Sequence, residues 1–415
     1  MIRAMSSALS GLRNHQLMLD VVGNDIANVS TVGFKSSTAL FSDILTQTLN
    51  GAGAPTSGLG GTNPAQIGLG AKLAGTVQKF TQGSLQNTGR ATDLAIQGDG
   101  FFVVQSNGQQ MYTRAGAFTL DANGGLVTPD GSLVQGWQAN AAGVIDTNAP
   151  IGPMTIRVGD LLAPTQSSVV NLGGNLAADA APGTVTALSA TTYDSQGTAV
   201  NIDFTLTKDL LVPNRWNVSA TTGAPPTAVA LTDNVLDFNG TGELIAPADR
   251  NINIAGGVLP NMPNAISIDL GSASAPGRLT QYSGTSTASV TGQNGAAAGT
   301  LQSFSIGQDG VIVGNYSNGG AKAIGQVALA VFTNPEGLER AGGVWRQTAN
   351  SGLAQVGVGG QGGRGTLSAG TLEMSNVDLA EEFTRLIVAQ RGFQGNARVI
   401  TTADEVLQEV VNLKR

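Results

Sequence analysis

The 415-residue chain has no cysteine and a single histidine, His15. That rules out a disulfide framework, a thiolate nucleophile and a thiolate zinc site. One histidine alone leaves metal binding and imidazole catalysis without partner side chains. Charged residues are 12%, about half the usual ~25%. Lys and Arg total 21 and form no basic cluster, so no nucleic-acid partner is expected, because phosphate contacts need dense cations. Aromatics are 5%, few enough to leave little stacking surface for sugars. No apolar run reaches the about 18 residues of a membrane span. The opening stretch, MIRAMSSALSGLRNHQLMLD, is amphipathic without a continuous apolar centre, so a cleaved secretory signal is not expected.

What is present is an asymmetry between ends and middle. Met1, Met5, Ala8, Leu12, His15, Leu19, Val22, Ile26 and Val29 recur at alternating steps of four and three. Leu379, Phe383, Leu386, Gln390, Phe393, Ala397, Ile400, Asp404, Leu407 and Val411 do the same at the other terminus. A 3.5-residue apolar period makes a seam that needs a partner helix. The residues between are rich in Gly, Thr and Asn and read as short strands and turns. The expected fold is therefore mainly β outer domains with long α-helical coiled-coil termini, in a multi-domain chain whose discontinuous domains draw on both halves.

Residues 3–28 read as one helix, ended at Ser30-Thr31-Val32-Gly33, where glycine can take positive φ. A second helical fragment is expected over 40–49, then a Gly/Pro/Thr/Asn-rich connector over 50–70. Strands follow from Ala71, with turns at Gly98-Asp99-Gly100, Asp121-Ala122-Asn123-Gly124 and Pro129-Asp130-Gly131. A similar rhythm around Gln308-Asp309-Gly310 and Ser317-Asn318-Gly319 implies that the two flanks fold together. Between them, Val200, Ile202, Phe204 and Leu206 alternate with Asn201, Asp203, Thr205 and Thr207, the period of a strand with one buried face. Residues 357–370 read as connector. The last helix is expected to start near Ser375-Asn376, with Ser375 and Asp378 as a capping box, and to run towards Leu413. The expected division is 1–30 with 375–415 as terminal helices, 31–70 with 353–374 as connector, 71–143 with 279–352 as a discontinuous β domain, and 144–278 as an inserted β domain.

No catalytic, cofactor or metal site emerges. The Asp-Gly turns at Asp99, Asp130 and Asp309 lack the repeated acidic spacing of a calcium loop. The Gly-rich run 359–365 has neither a preceding strand nor the Lys-Ser/Thr of a phosphate loop. Glu381-Glu382 reads as a solvated helix face. The heptad residues are the candidate site: Met5, Leu12, Leu19, Val22 and Ile26 on the first helix, and Leu379, Phe383, Leu386, Phe393, Ile400, Leu407 and Val411 on the last, all for self-assembly. Gly392 and Gly395 inside the last helix point to close approach of a neighbouring backbone. Both ends are expected to become ordered on assembly.

Several segments resemble one family. Leu19-Asp-Val-Val-Gly-Asn-Asp-Ile-Ala-Asn-Val-Ser-Thr-Val-Gly-Phe-Lys35 is similar to the N-terminal signature of bacterial flagellar axial proteins of rod and hook, and carries Asn24, Asn28, Gly33 and Phe34. Leu94-Ala-Ile-Gln-Gly-Asp-Gly-Phe-Phe102, with Gly98 and Gly100, resembles the same family. So do Ser375-Asn-Val-Asp-Leu-Ala-Glu-Glu-Phe383 and Ala389-Gln-Arg-Gly-Phe-Gln-Gly-Asn-Ala-Arg-Val-Ile400, although Gly395 stands where the family commonly has Ala. The insertion, with Tyr193-Asp-Ser-Gln-Gly197, resembles that of the hook members. The resemblance implies a non-enzymatic subunit, exported by the flagellar type III apparatus and located outside the cell in hook or basal body. It also implies a helical homopolymer that meets rod, hook-cap and hook–filament junction proteins, and no cofactor. A distal rod protein with an insertion remains an alternative, as does a secreted β-rich adhesin or carbohydrate-binding protein.

Overall fold

The computed structural model describes residues 2–55, 57, 60–272 and 275–412. Met1 of the first seam and Leu413 at the expected end of the last helix lie outside the described residues. So do Thr56, Gly58 and Leu59 of the expected connector, and Ala273 and Ser274 of the insertion. Among the described residues, α-helix is confined to the two ends: α1, Ile2–Ala27, and α2, Leu379–Asn412. At 26 and 34 residues they are about 40 and 50 Å long. The rest of the described residues form strands, turns and a short 3-10 helix, Pro335–Gly337.

Local chemistry explains where the helices stop. After α1 the chain turns through Asn28 and Thr31 and reaches Gly33 at φ 67°. A Cβ there would lie 2.5 Å from the Ala115 nitrogen, so both conformation and space require glycine. At α2 the N-cap is Asp378, not Ser375. The Asp378 Oδ1 accepts the N–H groups of Ala380 (2.8 Å) and Glu381 (3.3 Å), which satisfies two of the helix's free donors. Ser375 Oγ instead accepts from Val377, ahead of the helix.

The helical fragment expected over 40–49 is strand. β1, Ser37–Asp43, pairs antiparallel with β4, Ala71–Gln78, and β2, Thr46–Asn50, pairs with β3, Ala65–Gly68. Thr38, Thr46 and Thr48 suit a pleated strand, and pairing with strands further along the chain overrides a weak helical pattern.

By contacts the chain forms two compact units. The first comprises Met1–Ile156, Phe304–Val313 and Ala323–Arg415. Strand β5, Leu85–Asn87, is followed by β6, Leu94–Gln97, β7, Phe101–Ser106, and β8, Gln109–Thr113. β7 is buried on both faces. On one side Phe101 meets Phe80, Phe332 and Trp345; on the other Phe102 meets Phe118 edge-on with ring centres 5.0 Å apart. The late segment expected as connector over 353–374 contains three short strands. Gln355–Gly357 pairs with Leu329–Val331, Thr366–Ala369 with β6 and Thr371–Glu373 with β5. Each partner strand is remote in sequence or too short to show a period, which is why the pattern looked featureless.

The second unit comprises Arg157–Ser303 and Gly314–Lys322. Its bounds differ from the expected 144–278, because Ser289–Gln293 pairs with Val169–Asn175 and so carries residues beyond 278 into this unit. One sheet runs Val185–Tyr193, Ala199–Lys208, Arg215–Thr222, Val235–Phe238, Leu244–Ala246; the other runs Asn251–Ile254, Ile266–Asp269, Val169–Asn175, Leu279–Thr280. Their inner faces share one core that includes Ile202, Phe204, Trp216, Phe238, Ile252 and Ile268, a sandwich arrangement. The alternation read at 200–207 holds: Ile202, Phe204 and Leu206 are buried, while Asn201 and Asp203 face out.

Candidate functional site

The two chain ends meet in the first unit. α1 packs along α2 and also against β1 and β4. On α1, Ala8, Val22 and Asp25 are buried, and Leu12, His15, Leu19 and Ile26 are half-buried. Two glycines set the approach. A Cβ on Gly11 would lie 2.6 Å from Asn396, and a Cβ on Gly392 would lie 2.4 Å from the His15 ring. Gly392 therefore does accommodate a neighbour, and that neighbour is a side chain of the same molecule. Gly395 has nothing within 4 Å of its Cβ position.

On α2 the face turned to α1 includes Glu382, Ala389, Gly392, Asn396 and Ala403. The apolar heptad read from sequence lies about one position further round. Its Leu386, Ile400 and Leu407 are half-buried; Leu379, Phe383, Phe393 and Val411 are exposed. Ile387, Val388, Val399 and Val406 are exposed too, as are Met5, Leu9 and Leu17 on α1. Phe383 is 51% and Val388 56% exposed. The helix pair thus leaves large apolar side chains open to solvent on both flanks of its mutual face.

A buried polar cluster ties the helix ends to the sheet. Glu373 Oε1 accepts Lys35 Nζ at 2.7 Å and the Gly83 N–H at 2.9 Å, and its Oε2 accepts Arg114 Nη1 at 3.3 Å. The side chains of Lys35 and Glu373 are fully buried, and that of Arg114 is nearly so. Lys35 also donates to the Thr81 carbonyl, and Arg114 Nη2 to the Gly98 carbonyl at 2.9 Å. Beside it, Asn376 accepts the Ser36 N–H through Oδ1 and donates through Nδ2 to the carbonyls of Lys79 and Thr81. Asp25 Oδ2 accepts the Ser37 N–H at 2.8 Å. Segments from both ends of the chain thereby close on the same strands.

This cluster also places the family-motif residues. Phe34 is buried under the Arg340 guanidinium, 4.3 Å from its ring centre. Gly33 donates its N–H to the Glu373 carbonyl. Asn28 donates to Asn24 and accepts from Thr31, closing the end of α1. Gly98 and Gly100 flank the turn before β7 at φ 100° and 137°. Sequence reasoning missed Glu373, Arg114, Asn376 and Asp25. Lys35 and Asn376 stood inside recognised motifs, which was the available signal. The Glu373 contacts span up to 338 residues and leave no local pattern. Glu382, expected on a solvated face, is buried, with Oε1 accepting from Arg385.

Burial governs the electrostatics. It pushes the Asp25 carboxyl up, against the Ser37 N–H and nearby cations, and pushes Glu382 up in the same way. It pulls the Lys35 ammonium down, with Glu373 opposing. No group of three or more His, Asp or Glu suited to a metal ion occurs among the described residues. Among those residues, no helix is long and apolar enough to cross a membrane. The arrangement holds both chain ends on one β unit and leaves large apolar side chains of the two helices open to solvent.

Comparisons with known proteins agree. Residues 5–35 match the flagella basal body rod protein model, and 95–177 the flagellar hook protein FlgE/F/G D1 domain. Residues 174–296 match the flagellar basal body protein FlaE D2 domain, and 368–413 the flagellar basal body rod FlgEFG C-terminal model. The flagellar hook protein FlgE of Borreliella burgdorferi is 38% identical over 100% of both chains. That of Escherichia coli K12 is 40% identical over 99% of this chain and 100% of its own. The flagellar basal-body rod protein FlgG of Bacillus subtilis is 32% identical over 100% of both. The chain belongs to the flagellar hook protein FlgE family.

Proposed function

We propose that this chain is the structural subunit of a flagellar hook: it polymerises into a curved, flexible tube that passes torque from rod to filament, and it catalyses nothing. The observation that carries this reading is the open apolar surface on α1 and α2, outside their mutual face. In a polymer, equivalent helices of neighbouring copies cover it and form a coiled-coil core from residues 1–30 and 375–415. Met5, Leu379, Phe383, Phe393 and Val411 would face other copies. Leu12, Leu19, Val22, Ile26, Leu386, Ile400 and Leu407 would serve both the intrachain pair and the polymer. The β1–β4 arm also exposes Leu40, Phe41, Leu45, Leu49 and Ile67. A two-stranded ribbon cannot bury such residues by itself, so neighbours are expected to cover them as well. Rod, cap and junction proteins would meet the ends of the tube, and the subunit would reach it through the flagellar type III route.

The test is removal of 379–415, which spares Asn376 and its bonds to the sheet. The shortened chain should keep its β units and form no polymer; polymers as abundant as those of the full chain would overturn the reading. The full-length similarity to a rod protein favours a second reading, a distal rod subunit. A straight polymer in electron micrographs would select it, and a curved one the hook.

A further inference from the structure

Two buried carboxyls meet where the end of α1 lies beside the start of α2. Asp25 on α1 is 0% exposed and Glu382 on α2 is 2% exposed. Each has one oxygen in use. Asp25 Oδ2 accepts the Ser37 N–H, and Glu382 Oε1 accepts Arg385 Nη1 at 3.1 Å. The same Nη1 donates to Thr38 Oγ1 at 3.2 Å. Both acids are therefore held to consecutive residues of β1, Asp25 directly at Ser37 and Glu382 through Arg385 at Thr38. The other oxygen of each, Asp25 Oδ1 and Glu382 Oε2, is buried and has no hydrogen-bond partner.

An ionised carboxylate accepts hydrogen bonds and cannot donate one. Two ionised groups would leave both oxygens stranded away from water, a cost that native structures avoid. The surrounding charges do not relieve it. Arg385 is divided among Glu381, Glu382 and Thr38, and Lys79 lies 3.5 Å from Glu381. Arg340 stacks on Phe34 and donates its Nε to the Gly342 carbonyl at 3.2 Å. Asp378 is turned to the cap of α2. None of these hydrogen-bonds either open oxygen. Burial holds both carboxyls above their ordinary range, and the Asp25 charge acts on Glu382 in the same direction.

We propose that Asp25 and Glu382 form a proton-binding site, in which one proton sits between Asp25 Oδ1 and Glu382 Oε2 and bonds α1 to α2. A single proton turns two unmatched acceptors into one donor and one acceptor, and a hydroxyl donating to a carboxylate is among the stronger hydrogen bonds. Glu382 carries the proton, because the Ser37 N–H favours the charged form of Asp25. Losing the proton sets two buried anions against each other and loosens the joint. The pair titrates as a unit. Above the ordinary carboxyl range the folded chain keeps a proton that the unfolded chain has released, so stability declines as pH rises to the site's own value. The site is complete within one copy and does not depend on polymerisation.

Infrared absorption of the full chain at about pH 6.5, where ordinary carboxyls are ionised, tests the site. A carboxylic-acid C=O band should be present. It should vanish in Asp25→Asn and in Glu382→Gln, whose amides donate the same hydrogen bond without a proton. No such band in the unmodified chain, or a band that survives either substitution, overturns the proposal. Urea unfolding gives a second readout. The folding equilibrium constant of the unmodified chain, relative to Glu382→Gln, should fall by up to about tenfold per pH unit as pH rises through the window, the slope of one proton. Parallel pH dependences would overturn the proposal as well. Should neither variant fold, the band of the unmodified chain decides: it should fade only above the ordinary carboxyl range, together with faster amide exchange at the end of α1. Fading within the ordinary range would show two independent acids and no shared proton.

Discussion

Replacing Glu373 by Gln would leave shape nearly unchanged and take the anion out of the cluster that joins the chain ends to the sheet. Lys35 and Arg114 would then remain cationic and buried, without the carboxylate that accepts them at 2.7 and 3.3 Å. Breaking a buried ion pair by removing one partner costs about 3–5 kcal/mol. The upper part of that range applies, because both ion pairs are shut off from water and the Gly83 N–H uses the same oxygen as Lys35. Urea unfolding of the full chain, read by amide exchange in β7 and β8, should show this loss in the first unit. Exchange in the strands Ala199–Lys208 and Arg215–Thr222 of the second unit should be unchanged. The pH dependence is set by Lys35, whose folded-state pKa lies below its ordinary value through burial. Between the folded and unfolded values the unfolded chain binds more protons, so stability rises with pH through that window. Without Glu373 the folded value drops further and the window widens downward. The deficit of Glu373→Gln should therefore shrink as pH rises through that window. A deficit below about 1 kcal/mol, or one independent of pH, would show that the ionic network is not what holds this junction.

Gly33→Ala forces a left-handed conformation and a clash with the backbone at Ala115; a loss of about 2 kcal/mol or more in urea unfolding is expected. Gly392→Ala must displace His15 and should cost about 1–3 kcal/mol. Gly395→Ala meets nothing and should stabilise α2 by up to about 1 kcal/mol; equal effects at the two sites in thermal melts would count against the helix pairing. Asp25 has a raised pKa, so its folded state binds more protons than the unfolded one just above the ordinary carboxyl range. The unmodified chain should thus gain stability relative to Asp25→Asn as pH falls from about 7 to about 4, measured as the difference between their unfolding free energies. Phe383→Asp should change monomer stability by no more than about 0.5 kcal/mol yet abolish polymer, as sedimentation would show.

The terminal helices were legible because an amphipathic helix writes its period into neighbouring residues: Leu12, Leu19 and Val22 declare a face whatever they pack on. The strand Ala199–Lys208 was legible for the same reason, with a period of two. Glycine at position 33 announced a turn, since no other residue takes that conformation so cheaply. The strands at 37–50 and 355–373 escaped because a short strand is stabilised by its partner. Their partners lie elsewhere in the chain, as Leu367 opposite Ile96 shows. Register and identity of neighbours are non-local, so the one-position offset between the apolar heptad of α2 and the face turned to α1 could be seen only once the helices were in place. The same holds for the cluster around Glu373. Its members are ordinary polar residues in the sequence, and only folding removes the water that makes their pairing count. Sequence alone determined that the two chain ends are helical and need apolar partners; tertiary structure decided that the stretch over 40–49 is strand, and which helix faces are satisfied within the molecule and which stay open.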